Sequence, residues 1–102
     1  MRVIAMFNLK PGVSVADYEA WARGVDLPTV NGLGSVSSFR VFKTTGLLGG
    51  DAPAPYAYVE TIDIEDMDGF WKDVGSAVIQ EVAAAFAGMA DVVFMTTEEI
   101  KA

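Results

Sequence analysis

The segment RVIAMFNL, residues 2–9, is apolar on both sides of the β-strand that it predicts. It is short and is followed by KPG, a sequence typical of a turn. Successive side chains of a strand point to opposite faces of a sheet, so both faces of this strand need cover from water. The last predicted strand, DVVFMTT at residues 91–97, has the same two-sided pattern. A layer must therefore lie on each side of the sheet.

Two helical regions separate the predicted strands. The first, residues 14–25, begins with a serine that can cap it, and Pro28 predicts that the helix stops before DLPTVNGLG. The second begins near Asp63 or Asp66, where acidic side chains suit a helix start. We expect the glycine and serine at 75–76 to break or bend it.

Residues 35–45 and 56–64 are rich in β-branched and aromatic residues and complete the order βαββαβ. That order predicts an α+β, ferredoxin-like fold for residues 1–102: a four-stranded antiparallel sheet with both helical regions on one face. Two helical regions can cover only one face. The economical cover for the other face is a second copy of the sheet, so the sequence predicts a homodimer.

Histidine and cysteine are absent from the chain. Their absence excludes disulfides, thiol nucleophiles, imidazole bases, Ser-His-Asp triads and the usual ligands of zinc, copper and haem. The carboxylates form no evident cluster with the spacing of a metal-binding loop. We therefore expect neither a metal nor a cofactor.

Seven basic residues against fourteen acidic ones give a formal charge of −7. The basic residues are scattered, so phosphate backbones would be repelled and no nucleic-acid partner is expected. The best candidate for a membrane span, residues 78–95, contains Glu81 and Asp91 and is rejected, so no membrane association is expected. We expect a soluble, cytoplasmic protein.

A stretch dense in glycine and proline, TTGLLGGDAPAPYAY at residues 44–58, separates the middle strands. Glycine loops that bind phosphate lead from a strand into a helix, whereas this one leads from strand to strand, carries Asp51 and lacks a lysine. We interpret it as a long hairpin connection. Leu47 and Leu48 are unusual on a solvated loop, which leaves open a flap over a pocket or an arm on a partner subunit.

Pairing the two middle strands symmetrically about this loop places Arg40 opposite Glu60 and Phe42 opposite Tyr58. This face would line the dimer interior, with Tyr56 beside it. Charged groups enclosed there would be partly buried. Glu60 and Arg40 are then the catalytic candidates, and Tyr58, Tyr56 and Phe42 the ligand-binding candidates.

The same pairing directs Phe39 and Val41, with Ala57, Val59 and Thr61 opposite them, towards the helices. An alternative interpretation treats the predicted Arg–Glu pair as an exposed ion pair of little energetic value. A shift of one residue in the pairing would reverse the faces.

Four stretches, VIAMFNLKPGV, YEAWARGVDLPTV, VSSFRVFKTTGLLGG and PYAYVETIDIEDMDGF, resemble the REDY-like (HapK) family. That family is placed in the dimeric α+β barrel superfamily, with the EthD-like and antibiotic-biosynthesis monooxygenase-like proteins. The resemblance implies a homodimer whose two sheets close a barrel. Because some members are encoded with prodiginine-type pigment biosynthesis, it also implies a small aromatic or polyketide-like ligand. It supplies no catalytic motif.

Three functions stay open at this point. A cofactor-independent enzyme of secondary metabolism would use Glu60 as a base and Arg40 to hold an anionic oxygen. A non-catalytic, dimeric auxiliary protein would use the same pocket only to hold a hydrophobic metabolite. An interaction module would bind no small molecule.

Overall fold

A four-stranded antiparallel sheet forms one layer of the protein, which is described here over residues 1–102 by a computed structural model. The strands lie in the order β2-β3-β1-β4, which confirms the predicted ferredoxin-like α+β fold. They are β1 (Arg2–Leu9), β2 (Val36–Lys43), β3 (Tyr58–Ile64) and β4 (Ala90–Thr96).

The helices form a second layer on one face of this sheet. They are α1 (Val15–Trp21), a π-helical turn (Ala22–Asp26), α2 (Leu27–Asn31), α3 (Met67–Val74) and α4 (Ala77–Met89). The molecule measures 42 × 41 × 18 Å, a flat plate about one sheet and one helix layer thick. No helix has the length and apolar character needed to cross a membrane.

Local sequence signals explain most of the helix boundaries. The Ser14 hydroxyl accepts a hydrogen bond from the backbone N–H of Asp17 at 3.0 Å, as the capping pattern predicted. Asp66 precedes α3, and Gly75 ends it. The Ser76 hydroxyl then caps α4, so the predicted interruption of the second helical region is confirmed.

The predicted stop before Pro28 is wrong, because the helix continues to Asn31. The backbone N–H of Leu27 bonds to the carbonyl of Ala22, five residues back, which is the pattern of a π-helical turn. The hydrogen-bond ladder therefore changes just before Pro28. The proline then lies in the first turn of α2, where a missing N–H costs little.

The predicted pairing of β2 with β3 is also wrong, by one residue. Arg40 lies opposite Thr61, and Val41 lies opposite Glu60. An irregularity between Val36 and Ser38 shifts the start of β2. This register reverses the predicted faces of β3, while the prediction that Phe39 faces the helices is confirmed by its burial in the core.

In β3 the side chains facing the helices are therefore Tyr58, Glu60, Ile62 and Ile64, all of them buried. Val59 and Thr61, which were expected to meet the helices, lie on the opposite face. Burying two isoleucines under the helix layer is favoured over burying a valine and a threonine, because more apolar area leaves water.

An aromatic cluster fixes one end of the helix layer on the sheet. Phe7 of β1 stacks on Tyr58 at 5.1 Å between ring centroids and meets the edges of Tyr18 and Phe86. Trp21 is stacked against the Phe86 ring. Aromatic pairs in such geometries add to the stability that burial gives, so this end of the molecule is rigidly packed.

The opposite face of the sheet has no helix on it, and we call it the open face. Its apolar side chains are only partly buried or exposed: Ile4, Met6, Phe42, Val59, Val93 and Met95. Exposed apolar surfaces of this kind are typical of sites that contact another protein or a ligand.

The connection between β2 and β3 is tied down only at its base. The Thr44 hydroxyl donates to the carbonyl of Tyr56 at 2.7 Å, and the Asn8 side chain bonds to the backbone of Pro55 and Ala57. The tip lies away from the core, and Leu48 is fully exposed. The segment therefore joins strand to strand as a long hairpin connection, as predicted.

Candidate functional site

An apolar cavity of about 470 Å³ lies between the helix layer and the sheet. Of the 18 residues that line it, 15 are hydrophobic. Its ionisable residues are Asp26, from the π-helical turn, and Glu60, from β3. A cavity of this size, mostly apolar with a few polar groups, has the character of a small-molecule site.

Glu60 lies at the centre of the sheet, with Ala5 of β1 on one side and Val41 of β2 on the other. The residue is 3% exposed, and its Oε2 atom has no hydrogen-bond partner. Burial, and secondarily the nearby Asp26 carboxylate, raises the pKa of Glu60 to about 8. At neutral pH the side chain is therefore mainly a neutral carboxylic acid.

Asp26 ends the π-helical turn and is 5% exposed. Its side chain makes no capping hydrogen bond to α2. Burial raises the pKa of Asp26 to about 6, so the carboxyl is mainly ionised at neutral pH. Isolated π-helical turns occur frequently at functional sites, where they redirect one side chain.

Tyr18 of α1 adds a third polar group beside this pair. The ring is fully buried, and its hydroxyl has no hydrogen-bond partner. Burial, with smaller contributions from Glu60 and Asp26, raises the pKa of the Tyr18 phenol. The phenol therefore stays neutral, and its proton is available to a hydrogen-bond acceptor.

Arg40 and Phe42 lie on the open face, away from Glu60. The guanidinium carbon of Arg40 is 5.9 Å from the centre of the Phe42 ring, within the range of a cation–π contact. The predicted cross-strand pair of Arg40 and Glu60 is wrong, because the one-residue shift places the two side chains on opposite faces.

Tyr58 faces the helices, not the dimer interior that the pairing predicted. Its hydroxyl donates a hydrogen bond of 2.8 Å to Glu19 of α1, and burial raises the pKa of Tyr58 to about 12. Glu19 also pairs with Lys43 at 3.0 Å and with Arg23 at 3.3 Å. Tyr56 precedes β3, at the base of the long connection.

The cavity lining also includes Asp26 and Trp71, which the sequence did not single out as site residues. Asp26 follows the buried Tyr18 and Ala22 at intervals of four residues, so all three lie on the same face of a continuous helix. This spacing indicates a buried position for Asp26 if the helix continues past residue 25. Trp71 lines the cavity yet is 64% exposed, so it lies at the mouth. Phe94 of β4 likewise lines the cavity and is exposed, so it also lies at the mouth.

Comparison with known proteins places the chain among small proteins of the same fold. The family model for REDY-like protein HapK matches residues 1–100. The crystal structure of HapK from Hahella chejuensis has 30% sequence identity and a TM-score of 0.77, covering 100% of this chain and 95% of that one. No protein of curated function matches the sequence.

Two more distant structures share the fold. A dimeric ferredoxin-like protein of unknown function from Thermobifida fusca is 20% identical with a TM-score of 0.66, over 94% of this chain and 89% of that one. An EthD family protein from Bacillus halodurans is 8% identical with a TM-score of 0.68, over 95% and 97% of the two chains.

Proposed function

The chain belongs to the REDY-like HapK family, and we propose that it forms a homodimer. Each subunit binds a small, mostly apolar compound in its cavity and exchanges a proton with it through Glu60. The observation that carries the proposal is the unpartnered Oε2 of Glu60 at an otherwise apolar cavity. A buried polar atom without a partner is costly, so a ligand that pairs with it gains affinity.

The two carboxyls are suited to proton transfer without a cofactor. Their different pKa values leave Glu60 mainly protonated and Asp26 mainly ionised at neutral pH. A pair of this kind supplies an acid and a base in one site, as isomerisation or enolisation of a carbonyl compound requires. Glu60 keeps its predicted catalytic role in this proposal, and Asp26 joins it.

The other predicted site residues receive different roles in this proposal. Tyr58 fixes α1 on the sheet through its hydrogen bond to Glu19 and lies outside the cavity lining. Arg40 and Phe42 belong to the open face, which meets the partner subunit and closes the barrel. Tyr56 lies at the base of the connection between β2 and β3, and there it contacts the ligand or the partner subunit.

A second function, binding without turnover, is favoured by one feature of the lining. No lysine or arginine lines the cavity, so no cation there stabilises a developing oxyanion. The protein would then hold or deliver an aromatic or polyketide-like metabolite as an auxiliary component of secondary metabolism.

Filling the cavity tests the binding step. We expect Ala83→Trp, in the lining on α4, to weaken binding of a neutral probe, 1-naphthalenemethanol, by at least about tenfold because the indole occupies the ligand's volume. Ala85→Trp on the same helix lies outside the lining and is the matched control. Equal affinity of both variants in isothermal titration calorimetry would place the probe elsewhere.

Hydrogen exchange tests the catalytic step. Carbonyl compounds that bind are incubated in heavy water, and exchange of their carbon-bound hydrogens is followed by NMR. We expect Glu60→Gln to lower the exchange rate by at least about a hundredfold, the usual size of a general acid–base contribution, while the compound still binds. Exchange at the parent rate in this variant would contradict the role of Glu60 and favour binding without catalysis.

A further inference from the structure

The polar groups that line the cavity are strongly biased towards acids. They are the carboxyls of Asp26 and Glu60 and the hydroxyl of Thr96. A ligand therefore meets acidic side chains as its main polar partners. This bias selects among apolar compounds by the charge and hydrogen-bonding character of their polar group.

None of the seven basic residues of the chain lines the cavity. Arg23 and Lys43 both pair with Glu19 outside the cavity, at 3.3 and 3.0 Å. Arg2 pairs with Asp63 at 2.6 Å, and Arg40 lies on the open face. None of them lines the cavity, so its negative charge has no counter-ion from the protein.

A buried carboxylate without a partner is unfavourable, and a second carboxyl beside it makes the site more so. An anionic ligand would add a further negative charge to this environment. A cationic nitrogen would instead neutralise the carboxylate and donate hydrogen bonds to the Oε2 atom of Glu60, which has none.

We propose that the compound bound in the cavity carries an amine nitrogen on an apolar body, with the nitrogen placed against Asp26 and Glu60 and the body among the hydrophobic side chains. This inference rests on the proposed function and narrows its ligand class. It also replaces the anionic oxygen that the sequence had assigned to Arg40, since that guanidinium lies on the other side of the sheet.

Three probes of the same shape test the inference: 1-naphthylmethylamine, 1-naphthalenemethanol and 1-naphthoate, titrated by calorimetry at pH 7. We expect the amine to bind at least about tenfold more tightly than the alcohol, and the carboxylate more weakly than both, because charge complementarity discriminates strongly in a desolvated site. Asp26→Asn is expected to abolish the advantage of the amine. Glu81→Gln, an exposed carboxyl on α4, is the control and should preserve it.

The outcomes separate this inference from the proposed function. If 1-naphthoate binds as tightly as the amine, or if Asp26→Asn leaves the preference unchanged, the amine assignment is overturned while binding in the cavity stands. If none of the three probes binds the parent protein, the cavity-binding proposal itself is overturned, and this inference with it.

Discussion

Replacing Glu60 by glutamine is expected to raise the free energy of unfolding at pH 9 by on the order of 3–5 kcal/mol, and to change it by less than about 1 kcal/mol at pH 5. The pKa of Glu60 is raised from the ordinary value of 4.5 to about 8 by burial and by Asp26. The folded protein therefore holds this proton more tightly than the unfolded chain. Stability is greatest below about pH 4.5 and falls until pH 8, where the folded side chain has also ionised.

Asp26 acts in the same direction over a lower range, because burial raises its pKa from 3.8 to about 6. The parent protein should thus lose stability steadily from mildly acidic to alkaline pH. The Glu60→Gln variant should show only the part due to Asp26, since the amide that replaces the carboxyl carries no charge at any pH.

Urea unfolding at pH 5, 7 and 9, followed by tryptophan fluorescence at one protein concentration, measures the effect. Glu81→Gln removes an exposed carboxyl of the same type and is expected to leave the pH profile unchanged. Parallel profiles for the parent and the Glu60 variant would mean that Glu60 is ionised in the folded state, which contradicts its burial as a neutral acid.

The fold was predictable because each level of the sequence pointed to it. The strand, helix and turn signals along the chain predicted the order βαββαβ, which is the order that forms the observed four-stranded sheet. Caps at Ser14 and Ser76 set the helix starts by local hydrogen bonds. Because these signals depend only on residues that are close in sequence, they can be recognised without knowledge of the tertiary contacts.

The site was predicted less well because it depends on strand register. The symmetric pairing of β2 with β3 did not include the irregularity near Val36, so the predicted register was wrong by one residue. An error of one residue assigns every β3 side chain to the wrong face of the sheet. Hydrophobicity within β3 favoured the correct face, since Ile62 and Ile64 lie on the same side of the strand as Glu60. The structure places Glu60 in the cavity lining, where it lies opposite Val41 and not opposite the expected Arg40.

Asp26 was missed for a reason of backbone geometry. Proline within a helical pattern normally ends the helix at the preceding residue. By that rule, residues 26–31 were expected to lie outside the helix. A π-helical turn lets the helix pass Pro28 and carries Asp26 into the cavity. Such a turn has no pattern that propensity alone reveals, because it depends on packing of the surrounding turns.

Met6→Lys is expected to abolish the proposed homodimer at micromolar concentration. Met6 lies at the centre of the open face, between Val59 of β3 and Val93 of β4. If two sheets pack through this face, the lysine ammonium is buried among apolar side chains without a counter-ion. A twofold symmetric interface contains the change twice, so we expect the dissociation constant to rise by more than about a thousandfold.

Light scattering coupled to size-exclusion chromatography distinguishes the chain mass of 10.9 kDa from twice that value. Val78→Lys is the matched control: it introduces the same charge at an exposed valine of α4, on the helix side of the molecule. We expect the control to remain dimeric and the Met6 variant to be monomeric and folded, because a lysine on a face open to water is tolerated. A dimer that survives Met6→Lys but dissociates with Val78→Lys would place the interface on the helices, and the sheet would then need another partner for its apolar face.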